Sequence, residues 1–369
     1  MKVSHAVGGA AAALGAVAVR DLVQKRHALQ RNFPVLAHAR YLLERIGPEL
    51  RQYIVTGNDE ERPFSRDQRT WIYASSKEQN NYFGFGTDAD VEHTQGHAYI
   101  KQRTFADKLP SDQDHNWTLP SAKVLGGPRG RAKAFRPGSV VNVSAMSFGS
   151  LSSNAITAIN KGAAAAGCMH NTGEGAISPY HRNGADLVVQ IGTAYFGCRD
   201  EKGNFSLPRL KEMVASAPVR AIEIKLSQGA KPGLGGLLPA PKVTAEIAEI
   251  RGIPEGKDCA SPSRHTAFRD VDSMLDFVEL LADETGLPVG IKSAVGAMDF
   301  WEELARLMSP RDRGVDFITI DGGEGGTGAA PTRIRDNVGI PIELALAAAD
   351  QRLRAAQTEN FPSHTAIAA

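Results

Sequence analysis

Two lysines, Lys225 and Lys231, bracket a glycine-rich run, Lys225-Leu-Ser-Gln-Gly-Ala-Lys-Pro-Gly-Leu-Gly-Gly-Leu-Leu-Pro239. Ala221-Ile-Glu-Ile224 just before it is a short apolar run with strand character. A strand tip therefore delivers the first ammonium, and the loop brings the second into the same region. Two cations and bare backbone amides together hold an anion. Three more segments have this form, a strand entering a glycine-rich loop. They are Val140-Val-Asn-Val-Ser-Ala-Met-Ser-Phe-Gly149, His170-Asn-Thr-Gly-Glu-Gly175 and Phe317-Ile-Thr-Ile-Asp-Gly-Gly-Glu-Gly-Gly-Thr-Gly328. Four such loops point to a single anion-lined mouth.

Lys225 stands at a strand end among apolar neighbours, where an idle lysine is costly. Glu174 is either its buried counter-ion without further duty or a working carboxylate. Arg251 closes a helical pattern, where an arginine complements the helix dipole whether or not it binds anything. His170 and His181 read as hydrogen-bonding scaffold ahead of proton donors. His265 in Ser-Pro-Ser-Arg-His-Thr has no stronger case.

The elements that must position these residues follow from periodicity. Strands are expected at Val140–Met146, Cys168–Thr172, Leu187–Ile191, Ala221–Leu226, Pro288–Ser293 and Phe317–Ile320. Helices are expected at Ser152–Ala166, Leu207–Ser216, Thr244–Arg251, Val271–Glu284, Phe300–Met308 and Ile342–Ala356. Apolar strands alternating with amphipathic helices mean a parallel sheet. Chemistry after strand after strand is the habit of a (β/α)8 barrel, of TIM-barrel type, whose sites lie at the C-terminal face. Eight strands need two more strand–helix units, on the order of 60 residues, so an incomplete barrel of about six strands with exposed edges is expected. Residues 20–56 read as helix, with Pro48 marking a break or a new first turn. Residues 57–138 read as an irregular, aromatic wrapping segment. The expected organisation is a short apolar segment 1–19, a helical and irregular extension 20–138, a barrel 139–356 and a tail 357–369.

Composition narrows the class. A net charge of +1 over 369 residues gives no field for nucleic acid. The 37 glycines cluster in the loops above, so their excess is loop chemistry and not disorder. Cys168, Cys198 and Cys259 fit no zinc or iron–sulfur spacing and read as reduced thiols in a reducing, cytoplasmic compartment. As a helix, Ala6–Val19 reaches about 21 Å, short of the roughly 30 Å bilayer core. A signal peptide or a weak interfacial anchor are the membrane-related alternatives.

Met146-Ser-Phe-Gly-Ser-Leu-Ser152, Asn171-Thr-Gly-Glu-Gly175, Gln228-Gly-Ala-Lys-Pro-Gly-Leu-Gly-Gly236 and Asp321-Gly-Gly-Glu-Gly-Gly-Thr-Gly-Ala-Ala-Pro331 resemble the FMN-binding synthase domain of glutamate synthases, in particular its stand-alone members. The resemblance covers roughly residues 20–355. It implies reduction of 2-iminoglutarate, formed from 2-oxoglutarate and ammonia, to L-glutamate by hydride from reduced FMN. It further implies that Lys225 and Glu174 act at the reacting centre, and that Lys231, Arg251, Gly235 and Gly236 hold the oxoacid. Met146, Ser147, Asn171, Gln190, Lys225, Gly322 and Gly323 are implied around the flavin. The family's iron–sulfur cysteines and its cysteine-nucleophile glutaminase domain have no counterpart here, so nitrogen is expected from ammonia or a partner. Leu234 and Leu237 depart from the family pattern, which leaves another 2-oxo acid, or a fragment that only binds anions or partners, as alternatives. The electron donor is unassigned, and self-association through the open sheet edge is expected.

Overall fold

A computed structural model describes residues 2–51, 55, 57, 60–61, 64–80, 82, 84, 86–87, 91–93, 101–105, 123–355 and 366–368. The chain divides into two units, Met1–Asp107 and Lys108–Ala369.

The first unit is helical. Helix α1 (Lys2–Val23) is followed by α2 (Ala28–Asn32), α3 (Leu36–Leu50) and α4 (Arg66–Ser76). The helix expected from residue 20 thus begins at Lys2, and it is interrupted between α1 and α2 and again before α3. Asp21 explains the second interruption. It is buried and accepts hydrogen bonds from the Val35 amide (2.9 Å) and from His38 Nε2 (2.9 Å), pinning the turn back onto α1. Pro48 does not break α3, whose last turn continues to the Arg51 amide bonded to Gly47 and Pro48 carbonyls. Helix α4 falls within the stretch expected to be irregular. Its signal was Ser65-x-x-Gln68, which forms a reciprocal capping box. No described helix is long and apolar enough to cross a membrane.

The second unit is a parallel α/β half-barrel. In chain order it contains α5 (Ser153–Ala165), β1 (His170–Asn171), β2 (Leu187–Ile191), α6 (Leu207–Ala215), β3 (Val219–Lys225), β4 (Leu237–Leu238), α7 (Ala245–Arg251) and β5 (Cys259–Ala260). These are followed by α8 (Val271–Thr285), β6 (Val289–Ala294), α9 (Asp299–Met308), β7 (Ile318–Asp321), α10 (Thr332–Asn337), α11 (Ile342–Ala355) and β8 (Ala366–Ala368). The main sheet has the order β1-β2-β3-β6-β7-β8, every pair parallel. β4 and β5 form a separate antiparallel pair.

Two expectations are corrected. Val140–Met146 is not a regular strand; it runs beside β1 with a single parallel bridge, Val143 to His170. β8 lies inside the stretch expected to be a tail, and it adds an edge to β7.

Alternation along each strand separates two faces. Leu187, Val189, Ile191, Ile222, Ile224, Val289, Ile291, Ile318 and Ile320 are buried in one apolar cluster with Met274, Leu275, Leu281, Trp301, Leu304 and Met308 of α8 and α9. The intervening positions Gln190, Glu223, Lys225, Lys292, Thr319 and Asp321 fall on the opposite, inner face of the curl. Strand register aligns Gln190 with Glu223, Lys225 with Lys292, and Lys292 with Thr319. A buried polar layer thus stands where a wholly apolar core would otherwise form.

Candidate active site

The site is built at the C-terminal ends of the strands, where the barrel architecture places chemistry. β3 ends in Lys225, and the loop after β1 carries Glu174. Lys225 Nζ donates to Glu174 Oε1 at 2.8 Å and to Gln228 Oε1 at 3.3 Å. Lys231 is buried, and its Nζ donates to the Gly235 carbonyl at 2.7 Å. Arg251, the last residue of α7, is also buried. Its Nη2 donates to the Phe148 carbonyl at 3.1 Å and its guanidinium lies 5.1 Å from the Phe196 ring centre. Arg251 Nε is buried and has no hydrogen bond among the described residues. A donor in that condition is costly unless a ligand supplies its acceptor.

Three cations therefore surround one carboxylate. Burial pushes the Glu174 carboxyl up, but the Lys225 charge and hydrogen bond, with the Lys231 and Arg251 charges, outweigh it and hold the group below the ordinary glutamate value. Burial and the charge of Lys225 pull Lys231 below the ordinary lysine value, against the attraction of Glu174. Lys225, Lys231 and Arg251 against Glu174 leave an excess of positive charge, which a dianion would neutralise.

These groups line one cleft of about 150 Å³, with Ser147, Gly173, Gln190, Phe196, Gln228, Gly236, Leu237, Leu238, Cys259, Ser261 and Lys292. The volume is below the roughly 300–1,000 Å³ of pockets for drug-sized ligands, and a small diacid suits it. A second cavity of about 70 Å³ shares Lys292 and is bordered by Asn171, Glu223 and Thr319.

Of the expected site residues, the structure brings Ser147, Glu174, Gln190, Lys225, Lys231, Gly236 and Arg251 to the cleft. Gly235 stands one step back. A Cβ there would lie 1.8 Å from the Ser261 carbonyl, so only glycine lets the lysine loop approach the β5 strand. Met146 lies behind the cleft lining, its amide bonded to Asn171 O (3.1 Å) and its carbonyl to His181 Nε2 (3.0 Å). Gly322 and Gly323 pack against Ile342 and Gly339, and the Gly323 amide is taken by the Ile340 carbonyl.

Asn171 and Gln190 both donate to buried Glu223, at 2.8 and 2.7 Å, and Thr319 Oγ1 donates to its other oxygen at 2.6 Å. Sequence reasoning passed over Glu223, and with it Lys292, paired to Asp321 at 3.1 Å. The signal was available: each is a charged residue inside an apolar strand run. His170 Nδ1 lies 3.0 Å from Asn160 Nδ2, while its Nε2 is buried with no hydrogen-bond partner among the described residues. Burial, with the neighbouring His181 charge, brings His170 down to about 4, and His181 Nδ1 accepts from Ser178.

The family description "Conserved region in glutamate synthase" matches residues 109–361. The chain belongs to the glutamate synthase family. That membership makes it an oxidoreductase of the glutamate synthase type. It is similar to glutamate synthase large subunit-like protein YerD of Bacillus subtilis, with 38% identity over 367 residues, 91% of this chain and 70% of that protein. It is also similar to the archaeal-type glutamate synthase (NADPH) of Thermotoga maritima, with 40% identity over 218 residues, 58% of this chain and 39% of that one. For the archaeal glutamate synthase (NADPH) of Archaeoglobus fulgidus the figures are 40% over 213 residues, 57% and 39%. The chain thus spans well under half the length of the last two. Among the described residues no group of three histidine, cysteine, aspartate or glutamate side chains could hold a metal ion.

Proposed function

We propose that the cleft binds 2-oxoglutarate and, with ammonia, supports its reductive amination to L-glutamate. The observation that carries this reading is the placement of Lys225, Lys231 and Arg251 around Glu174 in one small cleft. Two fixed ammonium groups and a guanidinium with an unused donor match the two carboxylates of the substrate. Glu174, kept ionised, accepts N–H from the incoming nitrogen and orients it towards the 2-oxo carbon. Lys225, bridging Glu174 and the cleft, neutralises the charge that gathers on the oxygen as it leaves.

The donor set also suits one polar edge of FMN, the cofactor we assign to this reaction; a cleft of about 150 Å³ that takes the diacid has no room for the whole flavin. Ser147, Gln190, Lys225 and Lys292 offer hydroxyl, amide and ammonium groups along one wall. At Gly173 a Cβ would come within 2.9 Å of Ser147, so glycine there lets the loop after β1 pack against Ser147. When bound, FMN supplies the hydride. The protein's part is to hold the imine carbon in place and to keep water out.

The test is anaerobic mixing of the reduced, FMN-loaded protein with 2-oxoglutarate and ammonia. Flavin reoxidation together with formation of glutamate supports the reading. Absence of both, in a protein that has taken up FMN, sinks it. A second reading has its own observation. Leu237, Leu238 and Phe196 line the same cleft, which favours a 2-oxo acid with an apolar side chain. The same assay run with such acids decides between the two.

A further inference from the structure

Tyr195 and His265 are not part of the cleft lining, yet both are buried, and His265 links Tyr195 to Lys225. His265 Nε2 lies 2.9 Å from the Lys225 carbonyl oxygen, and Nδ1 lies 3.1 Å from the Tyr195 hydroxyl. That hydroxyl accepts the amides of Thr266 and Ala267, at 3.0 Å each. A carbonyl can only accept, so His265 Nε2 carries the proton. A hydroxyl whose lone pairs are both taken can only donate, so it donates to Nδ1. One tautomer satisfies every atom. The imidazole is further fixed by stacking on Phe268, with ring centres 4.7 Å apart and planes at 22°. Tyr195 adopts φ +52°, a left-handed conformation of the kind that costs of order 1–3 kcal/mol and that persists where the surroundings over-determine it.

We propose that Tyr195 and His265 are positioning residues for Lys225. They fix the carbonyl end of β3 and tie to it the segment 261–268. The need for them is visible in the sheet. β2 stops at Ile191, which pairs with Ile224, so on that side Lys225 has no strand residue opposite it. His265 supplies the missing donor. The segment it belongs to also forms cleft wall: Ser261 lines the cleft, and the Pro262 carbonyl accepts from Thr193 Oγ1 at 2.7 Å. Lys225 and that wall are thus held in register by one histidine.

The pair has a built-in sensitivity to acid. Protonated His265 would present a second N–H to a hydroxyl with no free lone pair. The charged group acting on the imidazole is Glu174, and Lys225 meets it through its backbone carbonyl. Burial lowers its pKa, against the Lys225 carbonyl bond and the Glu174 charge.

This inference rests on the role given above to Lys225, and its test includes readouts that do not need turnover. In the full chain labelled with 15N-histidine, His265 is expected as the Nε2–H tautomer, titrating below the ordinary value of about 6.5. In Tyr195→Phe it should titrate closer to that value. With lysines methylated by 13C-formaldehyde, the Lys225 resonance should shift in His265→Leu and stay near its wild-type position in His265→Gln, whose amide replaces the donor. In the amination assay, His265→Leu should lose on the order of 100-fold in kcat, with the acid limb of the Tyr195→Phe profile moved to higher pH. An Nδ1–H tautomer, or an unmoved Lys225 resonance in folded His265→Leu, overturns the proposal. If neither wild type nor variants turn over substrate while the tautomer and resonances behave as stated, the glutamate synthase reading fails and the positioning role stands.

Discussion

Lys225 and Lys292 are neighbours in register across β3 and β6, yet each ammonium has a carboxylate of its own. Lys225 meets Glu174 at 2.8 Å, and Lys292 meets Asp321 at 3.1 Å. The second pair compensates itself. The first shares its carboxylate with Lys231 and Arg251, and this asymmetry is what leaves positive charge for a ligand.

Replacing Glu174 by glutamine keeps the shape and removes the charge. Loss of a carboxylate that orients a reacting group typically costs 10²–10⁴-fold, so kcat for amination should fall within about that range. A kcat equal to wild type would reduce Glu174 to a counter-ion.

The same variant should alter the acid stability. Glu174 has a lowered pKa when folded, so its contribution is present above its unfolded value and is lost as pH falls through the folded one. Urea midpoints of wild type should therefore decline from about pH 5 downward more steeply than those of Glu174→Gln. Parallel curves would show that the pairing adds nothing to stability.

Lys231 titrates below an ordinary lysine. Its positive charge, and with it affinity for a dianion, should fade as pH rises through that lowered value, before about 10.4. Calorimetric titration with 2-oxoglutarate between neutral pH and pH 10 reads this directly. Lys231→Met should bind weakly and without that alkaline decline; a decline that survives the substitution belongs to another group.

Glu223 accepts three side-chain hydrogen bonds within the curl. Glu223→Ala strands those donors, at about 1–3 kcal/mol for each one left unsatisfied. Denaturant unfolding should show a loss of at least roughly 3 kcal/mol. A loss below 1 kcal/mol would mean that water replaces the carboxyl without penalty.

At the opposite end of the strands, Arg131 binds both Asp316 Oδ2 (3.0 Å) and Glu279 Oε1 (2.9 Å), and Asp316 also accepts the Val289 amide (2.7 Å). Arg131→Ala leaves these carboxylates only the neighbouring charge of Arg129, and breaking such a buried pair costs up to about 3–5 kcal/mol. The loss should appear in thermal unfolding with binding of 2-oxoglutarate unchanged. A variant that unfolds like wild type would place these charges in solvent.

The amino-acid order by itself settles what repeats locally. The two-residue alternation of Leu187–Ile191 and Ala221–Lys225 sends isoleucine, leucine and valine to one side and Gln190, Glu223 and Lys225 to the other. The helices read from it cover most of α5 to α9, and the lysine loop is evident from its glycines. Val140–Met146 looked like a strand on the same grounds, but strand character needs a partner of matching length, and β1 offers two residues. Packing alone decides what meets across the sequence. Glu174 lies 51 positions from Lys225, and His265 lies 40 positions beyond it. No local pattern encodes those separations. The curl of the sheet brings them together, because each strand tip points at the same space only once its neighbours fix its tilt.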